Sequence, residues 1–256
     1  MTMILYFGIG LLATIFGSLV GLGGGVIIKP ILDTIGSYDL TTIGILSSFT
    51  VFSMAVVSTS KQINKGFKVE RNMLVVAIGS ILGGGIGNLL FDIILKILNN
   101  ESFLTAIQGS ILAVLLILVL FREKIPKYHL KNYLLLFLIG IVLGTIASFL
   151  GIGGGPINVM VLVLFLNMDI KKSAITSIFI ILLSQLTKLI LIFIATRFKG
   201  NDLTMLYVMI PGGILGGSIG AYFNSKLTHQ TVHKIFNTAI ITLVALNFYN
   251  VINSLL

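Results

Sequence analysis

Gly21-Leu22-Gly23-Gly24-Gly25 separates the apolar runs 5–20 and 26–35, and Gly151-Ile152-Gly153-Gly154-Gly155 separates the runs 134–150 and 156–166. Glycine loses the most backbone freedom on ordering and is a poor helix former, so each cluster breaks a run that would otherwise continue as helix. The broken backbone carries N–H and C=O groups that hydrocarbon cannot satisfy. Such a break persists in a membrane only where protein buries it or where it lines a cavity. A pair of breaks at matching places in two halves points to the binding site of a secondary transporter.

The rest of the chain fits that setting. Hydrophobic residues make up 56% of the 256 positions and charged residues 10%. A soluble domain cannot bury so much apolar surface, so a lipid bilayer must cover much of it. The formal charge of +9 comes from lysines and arginines spread over short loops between apolar runs. That is the pattern of membrane orientation and excludes a nucleic-acid interface. Cysteine is absent, which removes disulfides, thiolate chemistry and cysteine metal sites. No basic residue precedes the first apolar run, so 1–20 is expected to stay in the mature protein rather than serve as a signal peptide.

Landmarks recur at an offset of about 130 residues. Beyond the glycine clusters, Ser47-Ser48 matches Thr176-Ser177, and Lys65-Gly66 matches Lys199-Gly200. Gly79, Gly83 and Gly87 match Gly212, Gly216 and Gly220. Their order argues for an internal duplication within one membrane transporter domain, 1–256, with repeat 1 at about 1–122 and repeat 2 at about 132–256. The expected fold is an all-α integral membrane protein of two homologous halves. Each half holds a Gly-broken segment and three transmembrane helices, near 42–60, 73–95 and 103–121, then 172–196, 203–224 and 232–252. The small-residue spacing of the third element in each half predicts close helix packing and no chemistry.

The broken segments either cross the membrane or turn back as re-entrant hairpins. With Lys29 and Lys188 set aside inside apolar runs, crossing divides the other Lys and Arg ten to five between the two sides. Re-entry inverts the second half and divides them twelve to three, leaving only Lys96, Arg197 and Lys199 on the poorer side. The positive-inside rule favours the second division, with inverted repeats and both termini outside. The length of the runs 5–20 and 134–150 fits a half-membrane arm poorly and keeps the crossing alternative open.

Candidate substrate-binding residues cluster at the breaks. Successive glycine amides at Gly21, Gly23, Gly24 and Gly25, and at Gly151, Gly153, Gly154 and Gly155, can form an anion-binding nest backed by a helix N-terminus. Pro156 suits the first turn of the helix that follows, and Asn158 adds a polar side chain there. Lys29 lies one turn beyond the first break, where it either complements an anion or snorkels to an interface. Lys188, with Gln185 on the same helix face, lies within an apolar run, where a lysine faces a cavity or a partner. Ser48, Thr176 and Ser177 carry hydroxyls that can donate to an anion or bond back to their own helices. Carboxylates fall in loops (Glu70, Glu101, Glu123, Asp169, Asp202) or near run ends (Asp33, Asp39, Asp92), which weakens a cation-transport reading. His229 and His233 have metal-ligand spacing but nothing nearby to complete a site, and His129 sits in the central basic loop. Neither a metal nor a cofactor is expected, and no catalytic constellation is visible.

The doubled glycine motif, with Val26-Ile27-Ile28-Lys29-Pro30 after the first copy and Pro156 after the second, resembles the TauE/SafE sulfite exporters, also called TSUP transporters. Ala174-Ile175-Thr176-Ser177 and the Gly-rich third elements strengthen the likeness, which covers essentially the whole chain. Met160 stands where the second half would repeat Pro30, so the two arms depart from exact symmetry. The resemblance implies a multi-pass permease of a bacterial or archaeal plasma membrane, moving sulfite or an organosulfonate. The expected function is therefore export of a small anion by alternating access, without enzymatic activity. Permeases for other small organic or inorganic anions and anion channels remain as alternatives.

Overall fold

The computed structural model describes residues 2–128 and 130–255, so His129 lies outside the described residues. Among the described residues, eight helices are long and apolar enough to cross a membrane. They are α1 (Thr2–Val20), α3 (Leu40–Asn64), α4 (Arg71–Leu98), α5 (Glu101–Leu120), α6 (Tyr133–Leu150), α8 (Ile170–Thr196), α9 (Leu206–Lys226) and α10 (His229–Leu255). Two helices of 11 residues each, α2 (Gly25–Ile35) and α7 (Gly155–Phe165), follow the glycine breaks. A 3-10 turn, Phe121–Lys124, closes the first half.

The first arm of each broken segment is a full-length helix. α1 has 19 residues and α6 has 18, close to the ~20 that a ~30 Å hydrocarbon core requires. The chain then doubles back. Gly24 lies against Ala13 and Thr14 of α1, and the Tyr38 ring beyond α2 meets Tyr6 near the start of α1 at 6.0 Å. At about 16 Å, 11 helical residues span only half the core. Each broken segment thus begins with a helix long enough to cross, folds back along it through its glycines, and continues on a half-length helix. Local chemistry marks these turns. Gly21, Gly23, Gly24, Gly151, Gly153 and Gly154 all have positive φ, Pro156 occupies the first turn of α7, and Asp39 and Asp169 cap α3 and α8 through their side chains.

The tightest helix pairs join one half to the other. On α4, Gly79, Gly83 and Gly87 press against the α6 backbone near Gly140, Ile141 and Thr145, in ascending order. On α9, Gly212, Gly216 and Gly220 do the same against α1. Thr14 and Ser18 of α1 donate to the carbonyls of Gly212 (3.3 Å) and Gly217 (3.0 Å), and Asn224 Nδ2 donates to Leu19 O at 2.6 Å. The ascending order makes both pairs parallel. The packing role read from their spacing is what these glycines perform: a Cβ at Gly216 would meet Leu11 O at 2.5 Å.

Side-chain bonds gather the loops at two ends. At one end Lys172 Nζ pairs with Glu70 (2.6 Å), Lys171 Nζ donates to Leu227 O (2.9 Å) and Lys65 Nζ to Ser225 Oγ (2.7 Å). At the other, Thr42 Oγ1 donates to Asn201 (3.0 Å), Leu40 N to Glu101 (3.2 Å) and Thr34 Oγ1 to Asn250 (2.8 Å). The loops that carry most of the positive charge share the first end.

Candidate functional site

Both breaks meet at the centre of the bundle. Gly25 packs on the Ile152 carbonyl, Gly155 packs on the Leu22 backbone, and neither position has room for a Cβ. Ser177 Oγ ties the two together, donating to Gly21 O at 2.8 Å and reaching Gly155 O at 3.3 Å. The breaks are therefore satisfied by protein, the condition under which irregular backbone survives at membrane depth.

Beside the second break lies a cavity of about 90 Å³ lined by Lys29, Asp92, Gln108, Ser148, Gly151 and Lys188, among others. It extends towards Leu40, Thr196 and Asn201, at the end with fewer basic residues. The volume suits a small ion rather than a drug-sized ligand, whose pockets run to about 300–1,000 Å³. Lys29 is 6% exposed and Lys188 5%.

Lys29 is held by the C-terminal end of α6. Its Nζ donates to Gln108 Oε1 and to Leu150 O (3.0 Å), while Gln108 Nε2 donates to Phe149 O. Carbonyls in the last turn of a helix lack intrahelical partners and carry the negative end of its dipole, so they suit an ammonium and an amide donor. Lys188, on α8, makes no hydrogen bond or ion pair to the described residues. Its Nζ faces Gly44 of α3, whose added Cβ would lie 3.8 Å away. Two cations thus face a small cavity in which Asp92 supplies a carboxylate.

Of the residues singled out in the sequence, Lys29, Gly151 and Lys188 line this cavity. Gly21, Gly23, Gly24, Gly25, Gly153, Gly154 and Gly155 lie in the packed breaks beside it. Ser48 Oγ bonds back to Gly44 O (2.7 Å), and Thr176 Oγ1 faces the sulfurs of Met73 and Met168. Asn158 and Gln185 flank the second break: Asn158 Oδ1 and Gln185 Nε2 would each lie 3.3 Å from a Cβ added at Gly154 and Gly153. Asn158 Oδ1, Gln185 Oε1 and Ser148 Oγ are buried without a hydrogen-bond partner. Buried polar atoms of this kind are uncommon and call for a water, an ion or a ligand.

Sequence reasoning passed over Gln108 and Ser148. The amide was detectable as a lone polar group in the apolar stretch of α5, since such groups are costly in lipid without partners. Asp92 was placed near a run end, and it does sit on an exposed turn of α4, yet that turn faces the cavity. Near the cavity mouth, the Asp202 carboxylate is held below the usual carboxylate range by bonds from the Thr204 side chain and backbone. Among the described residues no three His, Asp or Glu converge as metal ligands; His229 Nδ1 instead lies 3.2 Å from Asp169.

A membrane bundle with two broken segments meeting beside a cationic cavity is the architecture of a transporter, and comparison with known proteins agrees. The chain is 27% identical to the probable membrane transporter protein YunE of Bacillus subtilis (strain 168), over 94% of this chain and 95% of that protein. No solved structure matches. The profile of the sulfite exporter TauE/SafE family matches residues 6–248, and the chain belongs to that family of multi-pass membrane transporters.

Proposed function

We propose that this chain exports sulfite or a small organosulfonate across the plasma membrane by alternating access, with Lys29 and Lys188 supplying countercharge. One observation carries the reading: two buried lysines face a single small cavity at the second glycine break. The cations select for an anion, and the partnerless Ser148, Asn158 and Gln185 atoms offer further polar contacts beside it. Export follows from electrostatics, since a potential negative inside drives an anion outwards by about 2.3 kcal/mol per charge per 100 mV.

Two related halves in opposite orientation suit alternating access about a central site. In support, α4 runs parallel to α6 and α1 parallel to α9, while bonds between Lys172 and Glu70 and between Lys65 and Ser225 gather basic loops of both halves at one end. That arrangement gives the twelve-to-three division of basic residues, with the richer end inside. The cavity then faces outside. Towards the inside, the passage is closed by the apolar cluster of Leu116, Val119, Val159, Val163, Val232 and Phe236.

The test is counterflow of radiolabelled sulfite into proteoliposomes, against empty vesicles and against Gly24→Leu and Gly154→Leu proteins. Saturable exchange lost in both variants supports an oxyanion carrier built on the breaks. Folded protein that exchanges a sulfonate or a carboxylate but not sulfite reassigns the substrate. Unsaturable flux without exchange makes the chain a channel.

A further inference from the structure

The contacts around one glycine break repeat those around the other. Gly87 of α4 presses on Thr145 and Ser148 of α6, and Gly220 of α9 presses on Ile15 and Ser18 of α1. Gly84 faces Ser184 O of α8, and Gly217 faces Met54 O of α3. Gly25 packs on Ile152 O, and Gly155 on Leu22 O. Positions 130 apart in α1 and α6, α2 and α7, and α3 and α8 therefore occupy matching places, as do positions 133 apart in α4 and α9.

Carried over by these offsets, the wall of the lysine cavity has a counterpart towards the basic end. Ser18 stands for Ser148, Ser58 for Lys188, Val159 for Lys29 and Asn224 for Phe91. The lysine cavity is open, whereas hydrogen bonds draw its counterpart shut. Ser18 Oγ and Ser58 Oγ are 2.9 Å apart, and Asn224 Nδ2 donates to Leu19 O at 2.6 Å. Gln62 Nε2 donates to Ala221 O at 3.3 Å, and at the basic end Lys65 Nζ donates to Ser225 Oγ at 2.7 Å. Ser18, Ser58, Gln62 and Asn224 are all buried. Two oxygens of this seam, Thr59 Oγ1 and Asn224 Oδ1, are buried without a hydrogen-bond partner. A seam that stayed closed would be more stable with apolar groups at those places, since an unpaired buried polar atom is costly. Water supplies the missing partners if the seam opens. Neutral hydrogen bonds between membrane helices are individually weak, so parting them costs little.

We propose that this seam of α1, α3 and α9 is the inner half of the anion's path, opening towards the basic side when the lysine cavity closes. The proposal rests on the alternating-access reading. With Val159 and Ser58 where the outer half has Lys29 and Lys188, the inner half offers hydroxyls and amides without countercharge. It passes the anion, and binding stays with the two lysines.

The cysteine-free chain allows single thiols to report which side reaches each half. Thr59→Cys and Gly44→Cys proteins are treated with a charged, membrane-impermeant maleimide in intact cells and in inverted vesicles. Thr59 donates no hydrogen bond that the substitution would break, and Gly44 lines the lysine cavity. Thr59→Cys is expected to react roughly tenfold faster in inverted vesicles than in cells, and Gly44→Cys in the opposite order, because each half is reached only in the state open to it. Ser58→Cys, the neighbouring near-isosteric probe, is expected to follow Thr59→Cys. After excess reagent is removed, labelled Thr59→Cys is expected to lose counterflow that the unlabelled protein retains. Inertness of both inner thiols from either side, in proteins that still exchange anion and with Gly44→Cys reactive from outside, overturns the proposal and leaves the alternating-access reading standing. Equal reaction of Thr59→Cys from both sides overturns that reading as well, as a continuous pore.

Discussion

Replacing Lys188 by methionine separates stability from transport, because the lysine harms one and serves the other. The side chain is 5% exposed, lies within α8 and has no hydrogen bond or ion pair to the described residues. A lysine at the centre of a membrane helix costs about 2.5–3.5 kcal/mol on insertion scales, whereas methionine fills the same space without charge. Asp92, in the same cavity, offsets part of the cost, leaving an expected gain of about 2 kcal/mol. At roughly 2–4 °C per kcal/mol for a chain of this size, the melting temperature rises by about 4–8 °C. Transport moves the other way. Unit charges 4 Å apart attract by about 4 kcal/mol at an effective dielectric of 20, and water in the cavity screens about half of it. Losing about 2 kcal/mol raises the half-saturation for sulfite roughly thirtyfold. The assay pairs a melting curve in detergent with counterflow in proteoliposomes. A variant that melts below the parent and exchanges sulfite with unchanged half-saturation removes Lys188 from the site and makes it a structural tether.

Gln108→Leu is expected to destabilise by about 3–5 kcal/mol, because it strips the buried Lys29 ammonium of its amide partner. Lys29→Met in the same chain restores most of that loss, which melting of the single and double variants reads directly; simple additivity contradicts the coupling. Gly155→Ala places a methyl on the Leu22 backbone and costs about 3 kcal/mol or more. Gly8→Ala, with open space around it, is neutral or stabilises by up to about 1 kcal/mol. Orientation is testable on the chain's cysteine-free background. Lys199→Cys should react with a membrane-impermeant maleimide on intact cells and Lys68→Cys only after permeabilisation, and reaction of both from outside would refute the division into an inner and an outer end.

Sequence carried the architecture far because lipid makes its constraints local. Run lengths gave spans such as 172–196, which the structure extends to Ile170–Thr196. The same logic under-described the broken segments. Two short arms of a hairpin were weighed against a single broken crossing, yet α1 and α6 are each long enough to cross before the glycines turn the chain back along them. Hydropathy measures how long a run is, and the direction taken after a turn depends on what the far side packs against. At the site, Lys29 and Lys188 were legible because a charge in an apolar run is conspicuous. Their convergence on one cavity was not, since it depends on contacts between residues about 160 positions apart in sequence. Gln108 went unread for the same reason: its role is fixed by the α6 carbonyls it meets.

The parallel pairing of α1 with α9 sets a schedule for biosynthesis. α1 leaves the ribosome before the other described helices, and its close partner begins only at Leu206. Until then the α1 face bearing Gly10, Thr14 and Ser18 has no glycine ridge to receive it. α4 waits far less for α6, which starts at Tyr133. The α4–α6 seam is therefore the early nucleus of insertion, and the α1–α9 seam closes last, so chains truncated before α9 should leave a lipid-exposed first helix open to membrane quality-control proteases.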